Sequence, residues 1–222
     1  MKAALPTTFF ILFSTILHSQ NFANLIRQAN GGNVGAQYSL GLMYYTGDGV
    51  PRNYKLALQW YKKAAEKGDT ASQFNLGKMY DNGDGVPEDD ELAVKWYTKA
   101  ANRGDAASQF NLGLMLHAGE GVRKDYKLAA RWFKKAAEQG LEDAQFNLGI
   151  MYLKGEGVIE DMVTAYAWLS NSKANGYDAG KVLDPLKEKL TREQISAAQK
   201  MAKELFHKIQ NREDKGPFYW FD

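Results

Sequence analysis

The chain has no cysteine, only three histidines in 222 residues, and no surplus of either charge, with 28 lysines and arginines against 26 acidic residues. The missing thiols exclude thiolate metal sites, cysteine nucleophiles and disulfides. The even balance, with no lysine or arginine run, offers no patch for a phosphate backbone or an anionic membrane, so nucleic acid is not an expected partner. The scarcity of histidine limits catalysis as well: His117 and His207 belong to different elements, and neither stands in H-E-x-x-H. Long apolar runs are also lacking. The N-terminal run Phe9 to Leu17, "FFILFSTIL", falls short of the about 20 residues a bilayer span requires. What remains is a chain that is 45% hydrophobic and able to bury a core.

The N-terminal run has the layout of a secretory signal peptide: Met1 and Lys2 give a weakly positive start, the apolar stretch follows, and small or polar residues come next. Cleavage after Ser19 or after Ala23 fits this layout, and residues 1–19 are read as the signal. The other reading is an uncleaved hydrophobic helix that caps the domain.

A repeat dominates the rest. Gly32, Gly68, Gly104 and Gly140 are spaced by 36 residues, and four blocks, 32–67, 68–103, 104–139 and 140–175, align without a gap. The matching columns are Gln37/73/109/145, Leu40/76/112/148, Gly41/77/113/149, Met43/79/115/151, Ala57/93/129/165 and Trp60/96/132/168. Each block also carries a glycine–acid–glycine–valine turn, starting at Gly47, Gly83, Gly119 and Gly155.

In the second block this turn imitates a calcium loop. With Gly85 as the loop glycine, Asn82, Asp84 and Glu91 occupy the third, fifth and twelfth ligand positions, although Tyr80 stands first. The other copies place Lys55, Lys127 or Val163 where the twelfth carboxylate is needed. Calcium thus stays open only as an opportunistic site in the second copy, and a phosphate cradle fails because no copy extends to G-x-G-x-x-G or ends in G-K-[ST]. The shared element is the glycine pair, which permits positive φ and a chain reversal between two helices.

Those helices are written in the spacing. Ala36, Leu40, Met43 and Tyr44 make one apolar face of the first, with Gly41 allowing close approach; Tyr54, Ala57, Leu58, Trp60, Tyr61, Ala64 and Ala65 line the second, with Lys55, Lys62 and Lys63 in water. Asp69 and Asp105 are placed as N-caps. No block can bury its own face, so the blocks stack into a solenoid.

The pattern A-x-x-x-L-G-x-x-Y-x-x-G-x-G-V followed by K-L-A-x-x-W-[YF]-x-K-A-A-x-x-G, as in Ala36 to Gly68, resembles the Sel-one-like repeat, a relative of the tetratricopeptide repeat, over residues 32–175. The resemblance implies an all-α fold, a right-handed α/α superhelix of helix–turn–helix repeats with terminal capping helices. It also implies an adaptor for protein complexes, frequently in bacterial envelopes or secretion. One branch of that family is cysteine-rich and associated with penicillin binding; this chain, without cysteine, departs from it.

The ends differ from the repeats. Residues 20–31, with Phe22 to Asn30 resembling half of a second helix, cap the start, and residues 176–222 supply capping helices and an aromatic tail. Block four replaces the usual Ala-Ala pair with Ser172 and Lys173, so a cap is expected after it, and Thr191 with Gln194 forms a capping box before an amphipathic helix. The tail "GPFYWFD", Gly216 to Asp222, either folds over that cap or stays exposed as a docking peptide. Ser170-Asn171-Ser172-Lys173 matches S-x-x-K, but its S-D-N and K-T-G companions are missing. No catalytic residue, metal ligand or cofactor is assigned.

A surface remains. On a wheel of the first helix, Tyr38, Leu42 and Tyr45 lie opposite the core face, as do Phe74, Lys78 and Asp81; Phe110, Leu114 and His117; and Phe146, Ile150 and Leu153. In a solenoid the first helices line the concave side, where the ladder Tyr38, Phe74, Phe110 and Phe146 can grip a peptide or a partner helix. The plainer alternative is that adjacent first helices pack through these rings. Tyr45, Lys78, Asp81, His117 and Lys154 vary between blocks and are the specificity candidates. The expectation is therefore an exported, non-enzymatic scaffold for a protein or peptide partner in the periplasm or outside the cell. Its rival is an envelope enzyme or binder acting on β-lactam or peptidoglycan-type substrates.

Overall fold

The computed structural model describes residues 20–213, so the signal-like run and the aromatic tail lie outside the described residues. All regular structure among those residues is helical. Residues 20–30 form α1. Each block then contributes a pair: α2 (Val34–Thr46) and α3 (Tyr54–Glu66), α4 (Thr70–Asn82) and α5 (Asp90–Asn102), α6 (Ala106–Ala118) and α7 (Tyr126–Ala137), α8 (Glu142–Lys154) and α9 (Met162–Ala174). After these come α10 (Gly180–Lys189) and α11 (Arg192–Glu213). The chain divides into two compact units, Met1–Glu88 and Asp89–Asp222.

Caps set the helix boundaries. Asp69 and Asp105 accept the backbone N–H of Ser72 and Ser108, each at 2.7 Å, and Asn33 does the same for Ala36 at 2.8 Å. The second helices are capped in register by Asn53, Asp89, Asp125 and Asp161. Such side-chain acceptors satisfy amides that the first turn leaves without an intrahelical partner. At the other end of each first helix, Gly47, Gly83, Gly119 and Gly155 adopt φ between 68 and 85° and return their N–H to Met43, Met79, Met115 and Met151. The first glycine of the repeated turn is thus a left-handed helix C-cap, a conformation that costs little only without a Cβ.

Packing within a block depends on the mid-helix glycine. A Cβ on Gly41 would lie 2.5 Å from the Tyr61 ring, one on Gly113 2.7 Å from Phe133, and one on Gly149 2.7 Å from Leu169. Leu40, Leu76, Leu112 and Leu148 are buried in their columns, as are Ala57, Ala93, Ala129 and Ala165. At the start, Ala29 of α1 meets Ala36 and Leu40, flanked by Phe22, Leu25, Ile26, Tyr44 and Trp60. At the end, Leu183, Leu186 and Leu190 join Ala165, Leu169 and Ala179 in one cluster. The Thr191–Gln194 box is present in both directions, Gln194 N–H to the Thr191 hydroxyl at 3.2 Å and Thr191 N–H to the Gln194 side-chain oxygen at 2.9 Å.

One expectation is corrected. Tyr38 and Tyr45 do not lie opposite the core: both are half-buried, and their rings stand 6.0 and 6.4 Å from that of fully buried Tyr61. With Gly41 between them they form a second packing stripe, directed at α3, while Ala36 and Leu40 pack with α1. A helix held between two neighbours needs two stripes, and a wheel read for one core face assigns the second to solvent.

Candidate interaction surface

Two rings of the predicted ladder, Tyr38 and Phe110, pack against a ring on the second helix of their own block. Tyr38 meets Tyr61, and Phe110 meets Phe133 with centroids 5.8 Å apart. Phe146 stacks on Tyr177, just past the last repeat, at 4.4 Å and 29°. Phe74 is half-buried in the same column. In blocks one to three the position between the stripes faces solvent, with Leu42 40% exposed, Leu114 39% exposed and Lys78 exposed in their column, whereas Ile150 of block four packs against the cluster of Ala165 and Leu169.

The variable residues gather into two local arrangements. In the first unit the Tyr45 hydroxyl donates to Asp84 Oδ2 at 2.8 Å, its ring lies 5.3 Å from Tyr54, and Lys78 Nζ stands 5.6 Å above it. Burial, then the bond to Asp84, pushes the Tyr45 phenol up to about 12, because each disfavours the phenolate. In the second unit His117 Nε2 lies 2.9 Å from Glu156 Oε2, its ring lies 4.9 Å from Tyr126, and Lys154 Nζ reaches the other carboxylate oxygen at 3.8 Å. A carboxylate can only accept, so Nε2 carries the proton of that bond. A shallow depression beside it is lined by Arg123, Lys124, Asp125 and Tyr126. Asp81, the remaining candidate, is half-buried near the C-terminus of α4.

Three roles were not assigned from the sequence. The glutamine column is buried, and Gln37, Gln73, Gln109 and Gln145 each donate Nε2 to a carbonyl eight residues back, on Ala29, Ala65, Ala101 and Ala137, at 3.0–3.1 Å. Each thereby stitches the end of the preceding helix to the start of the next. A uniform polar column among buried neighbours was the available signal. Next, Lys63, Lys99 and Lys135 lie 4.0–4.1 Å from the ring centroids of Trp60, Trp96 and Trp132, so these lysines shield indole faces as well as meeting water. Last, in blocks two and four the acid of the glycine turn, Asp84 or Glu156, accepts a side-chain bond from the preceding block.

For the S-x-x-K match, Ser170 is half-buried and Lys173 exposed on α9, while Ser172 donates its hydroxyl to the Glu142 carbonyl at 2.8 Å. Among the described residues no group of three or more histidine, aspartate or glutamate side chains is disposed to hold a metal ion. No helix among them is long and apolar enough to cross a membrane.

The family pattern described as "Sel1 repeat" matches residues 34–69, 70–105, 106–141 and 142–177. Among solved structures, the chain is similar to c5321, a protective antigen present in uropathogenic Escherichia coli strains and displaying an SLR fold. The two are 36% identical, with a TM-score of 0.78, over 90% of this chain and 44% of that one. It is also similar to a Sel1 repeat protein from Oxalobacter formigenes, at 37% identity and a TM-score of 0.68, over 74% of this chain and 48% of that one. The chain thus matches less than half the length of either relative. No curated protein gives a significant match. With four matched repeats covering more than half of its length, the chain belongs to the Sel1 repeat family.

Proposed function

We propose that the protein is an exported adaptor that binds a protein or peptide through the solvent face of its first helices. Sel1 repeats serve as protein-interaction scaffolds, and the observation that supports this use here is the contrast between columns. Buried positions repeat with little change. The exposed column carries apolar Leu42 and Leu114, unlike the lysine that stands there in block two, and is flanked by Tyr45, His117 and Lys154. Buried columns follow packing, so a column that is exposed, apolar and varied is where recognition can be written. A rigid helical face also reduces the ordering cost of binding. Export rests on the N-terminal run, with the periplasm or the cell exterior as destination. No catalytic step is part of this function.

The test is a comparison of the full chain with Leu42→Glu/Leu114→Glu, two changes at exposed sites that leave the ring contacts untouched. Both proteins are matched for thermal stability and cross-linked in an envelope extract. Capture of a defined protein by the wild type and its loss in the variant supports the adaptor reading. Equal capture by both removes the binding surface from these helices. Hydrolysis of a chromogenic β-lactam by the wild type, abolished by Ser170→Ala, would replace the adaptor with the enzyme.

A further inference from the structure

The second glycine of each turn is constrained by its surroundings as well as by its own φ, which is 76° at Gly85, 60° at Gly121 and 69° at Gly157. A Cβ on Gly85 would lie 2.5 Å from Cβ of Tyr54 and 3.0 Å from its carbonyl carbon; one on Gly121 would lie 2.3 Å from the carbonyl carbon of Asp90; and one on Gly157 would lie 2.3 Å from the carbonyl carbon of Tyr126. Tyr54, Asp90 and Tyr126 are the first residues of α3, α5 and α7. In each case a turn rests with its backbone on the N-terminus of the preceding block's second helix, at a distance that only glycine permits.

The acid between the two glycines works in the same direction. Asp84 is bonded by Tyr45 and Glu156 by His117, and both pairs span 39 residues, one block plus the offset from the end of the first helix to the acid of the turn. Both donors also place their rings on the residue that seats the turn: Tyr45 on Tyr54 at 5.3 Å, His117 on Tyr126 at 4.9 Å. Backbone seat, ring and carboxylate therefore converge at one point, twice, on chemically different donors.

We propose that the glycine–acid–glycine turn is an inter-repeat joint: its second glycine seats on the preceding block's second helix, and in blocks two and four its carboxylate locks onto a ring donor at the end of the preceding block's first helix. Asp84 and Glu156 are positioning residues. They tie blocks one and two, and blocks three and four, into coupled pairs, and they fix the orientation of Tyr45 and His117 on the surface. A chain reversal alone requires none of these contacts, and the acid at the turn's centre would then be an incidental solubilising residue.

The lock is read by hydrogen exchange in the full chain. The Asp84 amide is bonded to the Met79 carbonyl at 2.9 Å and the Glu156 amide to Met151 at 3.0 Å, so each reports opening of its own turn. Tyr45→Phe keeps the ring and removes only the donor. It should raise exchange at the Asp84 amide about tenfold, the scale of one hydrogen bond to a charged group, and leave Glu156 unchanged. His117→Phe should do the reverse. Asp84→Ala reads the same bond from the acceptor side, and combining it with Tyr45→Phe should add nothing to either single change. Unchanged exchange at Asp84 in both Tyr45→Phe and Asp84→Ala, or effects of the two that multiply, would overturn the lock.

Discussion

By helix propensity, Gly113→Ala in α6 should stabilise the protein by about 1 kcal/mol, since alanine is the better helix former. The packing predicts the opposite sign. The added methyl would lie 2.7 Å from Cε1 and 2.8 Å from Cδ1 of Phe133, with Cζ at 3.2 Å. That ring is 1% exposed and has the Phe110 ring beside it at 5.8 Å, so it cannot swing away into solvent. Overpacking of this kind costs about 1–3 kcal/mol, and because the contact involves several ring atoms the upper part of that range applies. Net of propensity, Gly113→Ala should destabilise by about 1–2 kcal/mol. Guanidinium unfolding followed by helical circular dichroism reads this as a lower midpoint at an unchanged slope. Phe133→Ala alone costs about 3–5 kcal/mol through the cavity it leaves. In the double variant the methyl enters that cavity, so the total should fall short of the sum by about 1–3 kcal/mol. A raised midpoint for Gly113→Ala, or strict additivity in the cycle, would refute close helix approach as the reason for the glycine column.

Ser72 and Ser108 are fully buried with hydroxyls that find no hydrogen-bond partner among the described residues, and Ala36 and Ala144 fill the same column in the outer blocks. Replacing either serine by alanine should therefore stabilise by about 1 kcal/mol, seen as a higher Tm; a lower Tm in both would show that the hydroxyls are satisfied in solution. Tyr45 sets an alkaline limit. Its folded pKa, raised by burial and by Asp84 to about 12 against an ordinary value near 10, makes its contribution fully present below pH 10 and lost as pH climbs through 12. The phenolate absorbance of wild type minus Tyr45→Phe should rise near pH 12, and a midpoint near 10 would sink the reasoning.

The 36-residue period made the helix pairs, the glycine C-caps, the Asp69 and Asp105 N-caps and the Thr191–Gln194 box legible, because each is a local signal that a column either repeats or begins. Contacts between elements were less legible. A wheel contains one helix and so turns Tyr38 and Tyr45 toward solvent, whereas the α3 face that buries them begins 16 residues after Tyr38, at Tyr54. Their partner Tyr61 becomes visible only when the columns of two helices are compared. The Tyr45–Asp84 and His117–Glu156 bonds were hidden for a related reason: their spacing of 39 is not the repeat period, so self-alignment places donor and acceptor in different columns.

Block four shows how a departure from the repeat can carry more information than agreement with it. The column of Lys63, Lys99 and Lys135 ends in Asn171, which the sequence marks only as part of a fading seam. In blocks one to three a long cation lies over the tryptophan face and keeps its charge in water. In block four α11 covers that surface, Trp168 is 4% exposed, and a lysine there would bury an uncompensated charge. The short amide avoids that cost and bridges instead, Nδ2 donating to the Ala167 carbonyl at 3.1 Å and to the Ala202 carbonyl of α11 at 3.0 Å. Beside it Ser172 replaces the column alanine and donates to Glu142. Asn171 thus fastens the cap while Ser172 ties α9 back to α8, and the end of the repeat array is specified by hydrogen bonds to backbone carbonyls where its middle is specified by alanine and indole.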